Sequence, residues 1–272
     1  MNPEKYWGTT EVNKFLYQQL KTMCTAGGFV LSPRKGKHLV RIAQHFIQIV
    51  YPEVTRNRTR IHVLVSPTGS FANYFYAKKT LPALGNRKDD IYSSYLDLAV
   101  EDPESYKQFY DIRQMKTLWT EVIEPQFEQE IFSCLDTFGF DIFMLLSETQ
   151  RCDGFQYCSC PANDDALRFL AMGYGEIWKE NLGKSIALLQ KALDGFKKSM
   201  EQSERLGYGV PVDDQENHDA ALELLSMIQK GDGKIQVIGK MKEIEQAALN
   251  KAWGVALSPE GKTVRLKKKE LL

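Results

Sequence analysis

T-R-I-H-V-L-V-S-P-T-G-S-F-A-N-Y-F-Y-A, residues 59–77, decides how the rest of the chain is read. Thr59–Val65 is rich in β-branched residues and predicts a strand. Ser66-Pro67-Thr68-Gly69 supplies turn chemistry after it. Ser70 onward, with Phe71, Tyr74, Phe75 and Ala77, reads as a helix reaching about Leu84. A strand, a glycine turn and a helix N-terminus together can cradle an anion, because backbone N–H groups and the helix dipole converge there. Ser66, Thr68, Gly69, Ser70 and the strand residue His62 are therefore the candidate ligand-binding set for an enzyme of phosphate or nucleotide type.

Outward from this segment the chain predicts mostly helices. A first runs from Thr9 or Thr10 as cap to about Thr25, with Val12, Phe15, Leu16, Leu20 and Met23 at helical spacing. Phe29–Ser32 is short and strand-like. A second helix is expected over about 38–51, where Leu39, Ile42, Ala43, Phe46, Ile47 and Val50 share a side and Pro52 stops it. On that helix His38 and His45 would stand about 10.5 Å apart, too far to share a metal. Residues 90–150 look mainly helical, interrupted or kinked at Pro125. Phe127, Ile131, Leu135 and Phe138 form an apolar stripe there. Residues 151–163 break the pattern and read as a linker or loop. Helices then follow over about 164–207, 217–230 and 239–253. Gly254–Leu257 and Lys262–Leu266 close as a hairpin around Ser258-Pro259-Glu260-Gly261. A similar turn is written near the start, in V-L-S-P-R-K-G-K.

The expected architecture is α+β and helix-dominated. A small sheet is built from 29–32, 59–65 and the C-terminal hairpin. Residues 1–150 form a mixed N-terminal part and 151–272 a mainly helical one, with a shared core left open.

The 272 residues are 43% hydrophobic and 26% charged, enough for a sizeable core and not a composition for extended disorder. Lys plus Arg and Asp plus Glu are both 35, which disfavours a surface wholly devoted to nucleic acid or anionic lipid. No secretory signal and no apolar run of roughly 20 residues is found, so a soluble, cytoplasmic protein is expected, with delivery into another cell left open.

The turn at 66–70 resembles the start of a helicase-type P-loop. Phe71, Ala72 and Asn73 stand where that motif has its Gly-Lys-Ser/Thr, so the phosphate lysine and the magnesium hydroxyl are missing. V-x-x-T-G-S-F-A, from Val65, also resembles the phosphate turn of flavodoxin-like flavoproteins. That fold implies further parallel strands, which residues 85–138 do not offer.

Other candidates are weaker in pattern. Cys152, Cys158 and Cys160, among five cysteines, could give three thiolates to zinc, with His218 or Asp153 as a fourth ligand. Free thiols or a redox-active pair are the competing readings. Arg56, Arg58 and Arg60 alternate and would share a face of an extended segment, a candidate phosphate or nucleic-acid contact. Asp213–Asp219 reads as an acidic helix start and not as a calcium loop.

No complete catalytic or cofactor motif appears. The leading expectation is a helical protein–protein interaction or regulatory protein whose partner is another protein or a second copy. An enzyme using 61–77 and a nucleic-acid binder using the arginines are the alternatives.

Overall fold

A computed structural model describes residues 6–55, 58–71, 77–79, 99–101, 108–149, 151–152, 154–157, 164–267 and 270. The chain opens with a short strand β1 (Tyr6–Gly8) and helix α1 (Thr9–Ala26). Val12, Leu16, Leu20 and Cys24 form its buried stripe. Gly8, not a threonine, is its N-cap.

The largest correction lies at 38–51. In place of a helix stand β3 (Leu39–Ala43) and β4 (Phe46–Thr55), paired from Leu39↔Val50 to Ala43↔Phe46. They follow β2 (Val30–Leu31) and precede β5 (Arg58–Pro67). Leu39, Phe46, Val50, Ile61, Val63 and Val65 join one core cluster, and Val40, Ile42, Ile47, Ile49 and Leu64 another. Both faces of the sheet are covered, so the apolar residues do not alternate and their spacing mimics a helix. Pro52 is tolerated in β4 because β3 pairing ends at Val50, leaving that side without a partner strand to receive an N–H.

The second correction concerns the segment after the glycine turn. Residues 72–76 lie outside the described set, but β6 (Ala77–Lys79) is a strand, antiparallel to β5, where a helix was expected. A βα phosphate turn of the flavodoxin kind is therefore not built. Strands β7 (Ala99–Glu101) and β8 (Gln108–Asp111) join β1 in a separate sheet.

Asp111 then caps α2 (Ile112–Leu118) by accepting from the N–H groups of Arg113 and Gln114. The helix continues through a π turn (Trp119–Ile123), α3 (Glu124–Gln126), a second π turn (Phe127–Ile131) and α4 (Phe132–Thr137). Pro125 neither stops nor breaks it. The wide turn before the proline shifts the bonding to i→i+5, with Glu124 N–H donating to Trp119 O, and so absorbs the missing donor. Phe127, Ile131, Leu135 and Phe138 are fully buried, as their spacing predicts.

Helix α5 (Phe140–Thr149) leads to β9 (Arg151–Cys152) and β10 (Phe155–Tyr157). The expected linker thus begins with two strands added at one end of the sheet, with β9 at the edge, giving the order β2-β3-β4-β5-β6-β10-β9. Four helices follow: α6 (Asp164–Trp178), α7 (Leu182–Arg205), α8 (Val212–Gln229) and α9 (Lys234–Trp253). The hairpin of β11 (Val255–Leu257) and β12 (Thr263–Arg265) closes the fold. The architecture is α+β and helix-dominated, with antiparallel sheets mostly in the N-terminal half.

Helix α1 packs on one sheet face, while Leu249, Ala252 and Trp253 of α9 and Val255 pack on the other. The first of the two similar turns is tied to the end of α9, and β3 to the strand that follows the second. Ser32 Oγ donates to Trp253 O at 2.7 Å, and Ile42 N–H donates to Thr263 Oγ1 at 2.8 Å. No helix of the described residues is long and apolar enough to cross a membrane.

Candidate functional site

The turn joining β3 to β4 contains only Gln44 and His45, both with positive φ (49° and 66°). A two-residue hairpin turn of this hand normally carries asparagine and glycine, because side chains with a Cβ are strained there. Here both side chains reach helices. Gln44 Nε2 donates to Asp136 O at the end of α4, at 2.8 Å. His45 Nδ1 lies 3.2 Å from Glu245 Oε1 on α9, and its ring stacks on Trp178 at 3.8 Å and 13°.

Glu245 is buried in the apolar stripe of α9, between Met241 and Leu249. The Thr68 hydroxyl contacts the same oxygen, Oε1, and also lies 2.8 Å from His45 O. Thr68 N–H donates to that carbonyl at 3.0 Å. A cleft of about 550 Å³ opens beside this cluster, walled by His45, Trp178, Lys242, Gln246, Leu249 and the turn at Ser258-Pro259.

Of the candidate ligand-binding set read from the sequence, Thr68 alone belongs to this cluster. Ser66, Thr68 and Ser70 are buried. A Cβ on Gly69 would stand 2.8 Å from the Tyr174 ring, so glycine is required for the strand end to press on α6. Phe71 N–H, the donor a phosphate would need, is taken by Asn217 Oδ1 at 2.9 Å. Among the described residues the 66–70 turn is thus packed against helices.

His62 is elsewhere, on the second sheet face. Its Nε2 lies 2.9 Å from Glu53 Oε2, and its ring stacks on Tyr51 at 4.5 Å. Tyr51 in turn stacks on His38 at 4.1 Å. Burial, helped by Glu53, pushes the Tyr51 hydroxyl up to about 12, and burial holds the His38 imidazole below its ordinary range.

No family profile, no curated protein and no solved structure matches this chain.

The arginine set is only partly described. Arg56 lies outside the described residues, Arg58 pairs with Thr55 at the end of β5, and Arg60 stands opposite Glu53 in the β4–β5 register. An acidic partner position therefore breaks the stripe. Cys158, Cys160 and Asp153 also lie outside the described residues, whereas Cys152 sits half-buried in β9. Among the described residues no group of three His, Cys, Asp or Glu could hold a metal. The acidic run opens α8 as expected, and Asp213 and Glu216 both pair with Lys251.

Cys24 is fully buried on α1, and desolvation, only partly offset by Arg41, raises its thiol to about 12. At about pH 8 it stays protonated and inert. Ellman's reagent followed by peptide mass analysis will label Cys134 and Cys152 in the folded chain, and Cys24 only in denaturant.

Sequence reasoning weighed His45 only as a metal ligand with His38, and missed Trp178 and Glu245. A glutamate on the apolar face of a helix was the one signal in the sequence for the cluster.

Proposed function

We propose that this chain works by holding another protein, as a helical interaction or regulatory protein. The observation that carries the proposal is the connection between α7 and α8. Leu206 (55% exposed), Tyr208 (83%) and Val212 (66%) stand in solvent there, with Val210 beside them. Gly207 and Gly209, both at positive φ, bracket Tyr208 and turn it outward. Single exposed apolar residues are ordinary, but a run of them on a short loop favours a partner surface. Tyrosine is also among the residues that most often anchor interfaces.

Tyr208→Asp tests this. The residue touches no core, so stability should stay within about 0.5 kcal/mol of wild type. Sedimentation of the pure chain will show whether a second copy is the partner. Cross-linking in its own cells will show whether another protein is. A complex formed by wild type and lost in Tyr208→Asp is the expected result. Equal complex formation by both chains, or none by either, would sink the proposal.

A further inference from the structure

The cleft beside His45 has a polar group left over. Glu245 is buried, and no Lys or Arg of the described residues pairs with it. Its two partners, His45 and Thr68, both use Oε1. Oε2 accepts no hydrogen bond from a described residue, and Glu245 belongs to the wall of a cleft sized for a small ligand. A carboxylate taken out of bulk water is costly unless its lone pairs are filled, and a cation that donates hydrogen bonds fills them best.

The remaining walls say what such a cation would carry. Trp178 and His45 make a flat, stacked aromatic surface. Leu249, Leu257 and Pro259 add apolar surface. Aromatic faces attract planar cations. Lys242, on the same helix one turn before Glu245, is exposed and also lines the cleft. Its charge opposes a second positive group on the ligand.

We propose that this cleft binds a small organic molecule with one flat cationic head, of amidinium or guanidinium type, on an apolar body. The head donates to Glu245 Oε2, and the body lies against Leu249, Leu257 and Pro259. His45 and Thr68 hold the carboxylate in place through its other oxygen. This site is separate from the 206–212 loop and does not depend on it.

The probe is benzamidine, compared with benzoate and benzyl alcohol, titrated into the whole chain. The readout is the set of indole N–H resonances of the four tryptophans, with Trp178 assigned by Trp178→Phe. Benzamidine should shift Trp178 before Trp7, Trp119 or Trp253, with a Kd of about 1 mM or tighter. Benzoate and benzyl alcohol should bind at least about tenfold more weakly. Glu245→Gln should weaken benzamidine by about tenfold or more, and Lys242→Gln should tighten it. The wild-type shift pattern alone decides the matter if Glu245→Gln fails to fold. Preference for benzoate, shifts centred on another tryptophan, or no saturation by any probe would overturn the proposal.

Discussion

Phe46→Ala will cost the fold about 3–5 kcal/mol, the largest loss expected from any single substitution considered for this chain. Phe46 opens β4 directly after the strained turn and is fully buried. Its ring centroid lies 5.0 Å from Phe138, 4.8 Å from Phe140 and 5.8 Å from Phe143. These rings come from the end of α4 and from α5, so one side chain joins the sheet to two helical segments. Truncation removes the transfer energy of the ring and leaves a cavity that packed aromatics cannot collapse into. The lost ring pairs, about 0.5–1.5 kcal/mol each beyond area, are part of that total. Against a total stability of about 5–15 kcal/mol, the variant will stand near its unfolding threshold at room temperature. Urea denaturation checks this: the midpoint should fall sharply with an unchanged slope. A loss below about 1 kcal/mol would mean that the sheet does not depend on α5 for its packing.

Phe46 also marks the place where sequence reading went astray. Its neighbours Ile42, Ile47 and Val50 were assigned to one side of a helix. Val40, Ile47, Ile49 and Val50 are β-branched, and that preference for strands was the better guide. Periodicity failed because α1 covers one face of the hairpin and α9 with Val255 covers the other. Helix after residue 164 is legible where a stripe is buried and the rest exposed, as Leu189, Ala192, Leu193 and Phe196 are on α7, but the break between α6 and α7 at Glu180 is not. The Thr59–Val65 strand and the C-terminal hairpin were legible from β-branching and turn chemistry.

The cluster at Glu245 was not legible, for a different reason. His45 and Glu245 are separated by 200 residues, and only the folded sheet brings them to one place. Thr68 is an anion-binding candidate by its turn chemistry, and its hydroxyl does meet an anion, but that anion is the chain's own Glu245 carboxylate and not a ligand phosphate. A glycine turn after a strand specifies a bend. What the bend's polar groups face is decided by the helices packed over it, here α6 and α9.

Glu245→Met should raise stability, by about 1–3 kcal/mol, and this separates a structural carboxylate from a functional one. Methionine keeps the length of the side chain and a good helix propensity, and it continues the stripe formed by Met241, Ala248 and Leu249. Little is lost in exchange. Thr68 keeps its contact with His45 O. The His45 side chain is 36% exposed, so water can take over its Nδ1. What disappears is the cost of holding a desolvated carboxylate among apolar groups, which the hydrogen bonds to Oε1 offset only in part. Functional sites are where natural chains recurrently keep such groups against stability. Thermal melts of Glu245→Met and wild type in the same buffer decide the sign. A lower midpoint in the variant would make Glu245 a staple between the hairpin turn and α9. A higher midpoint, together with loss of benzamidine binding, would leave ligand recognition as the reason the carboxylate is there.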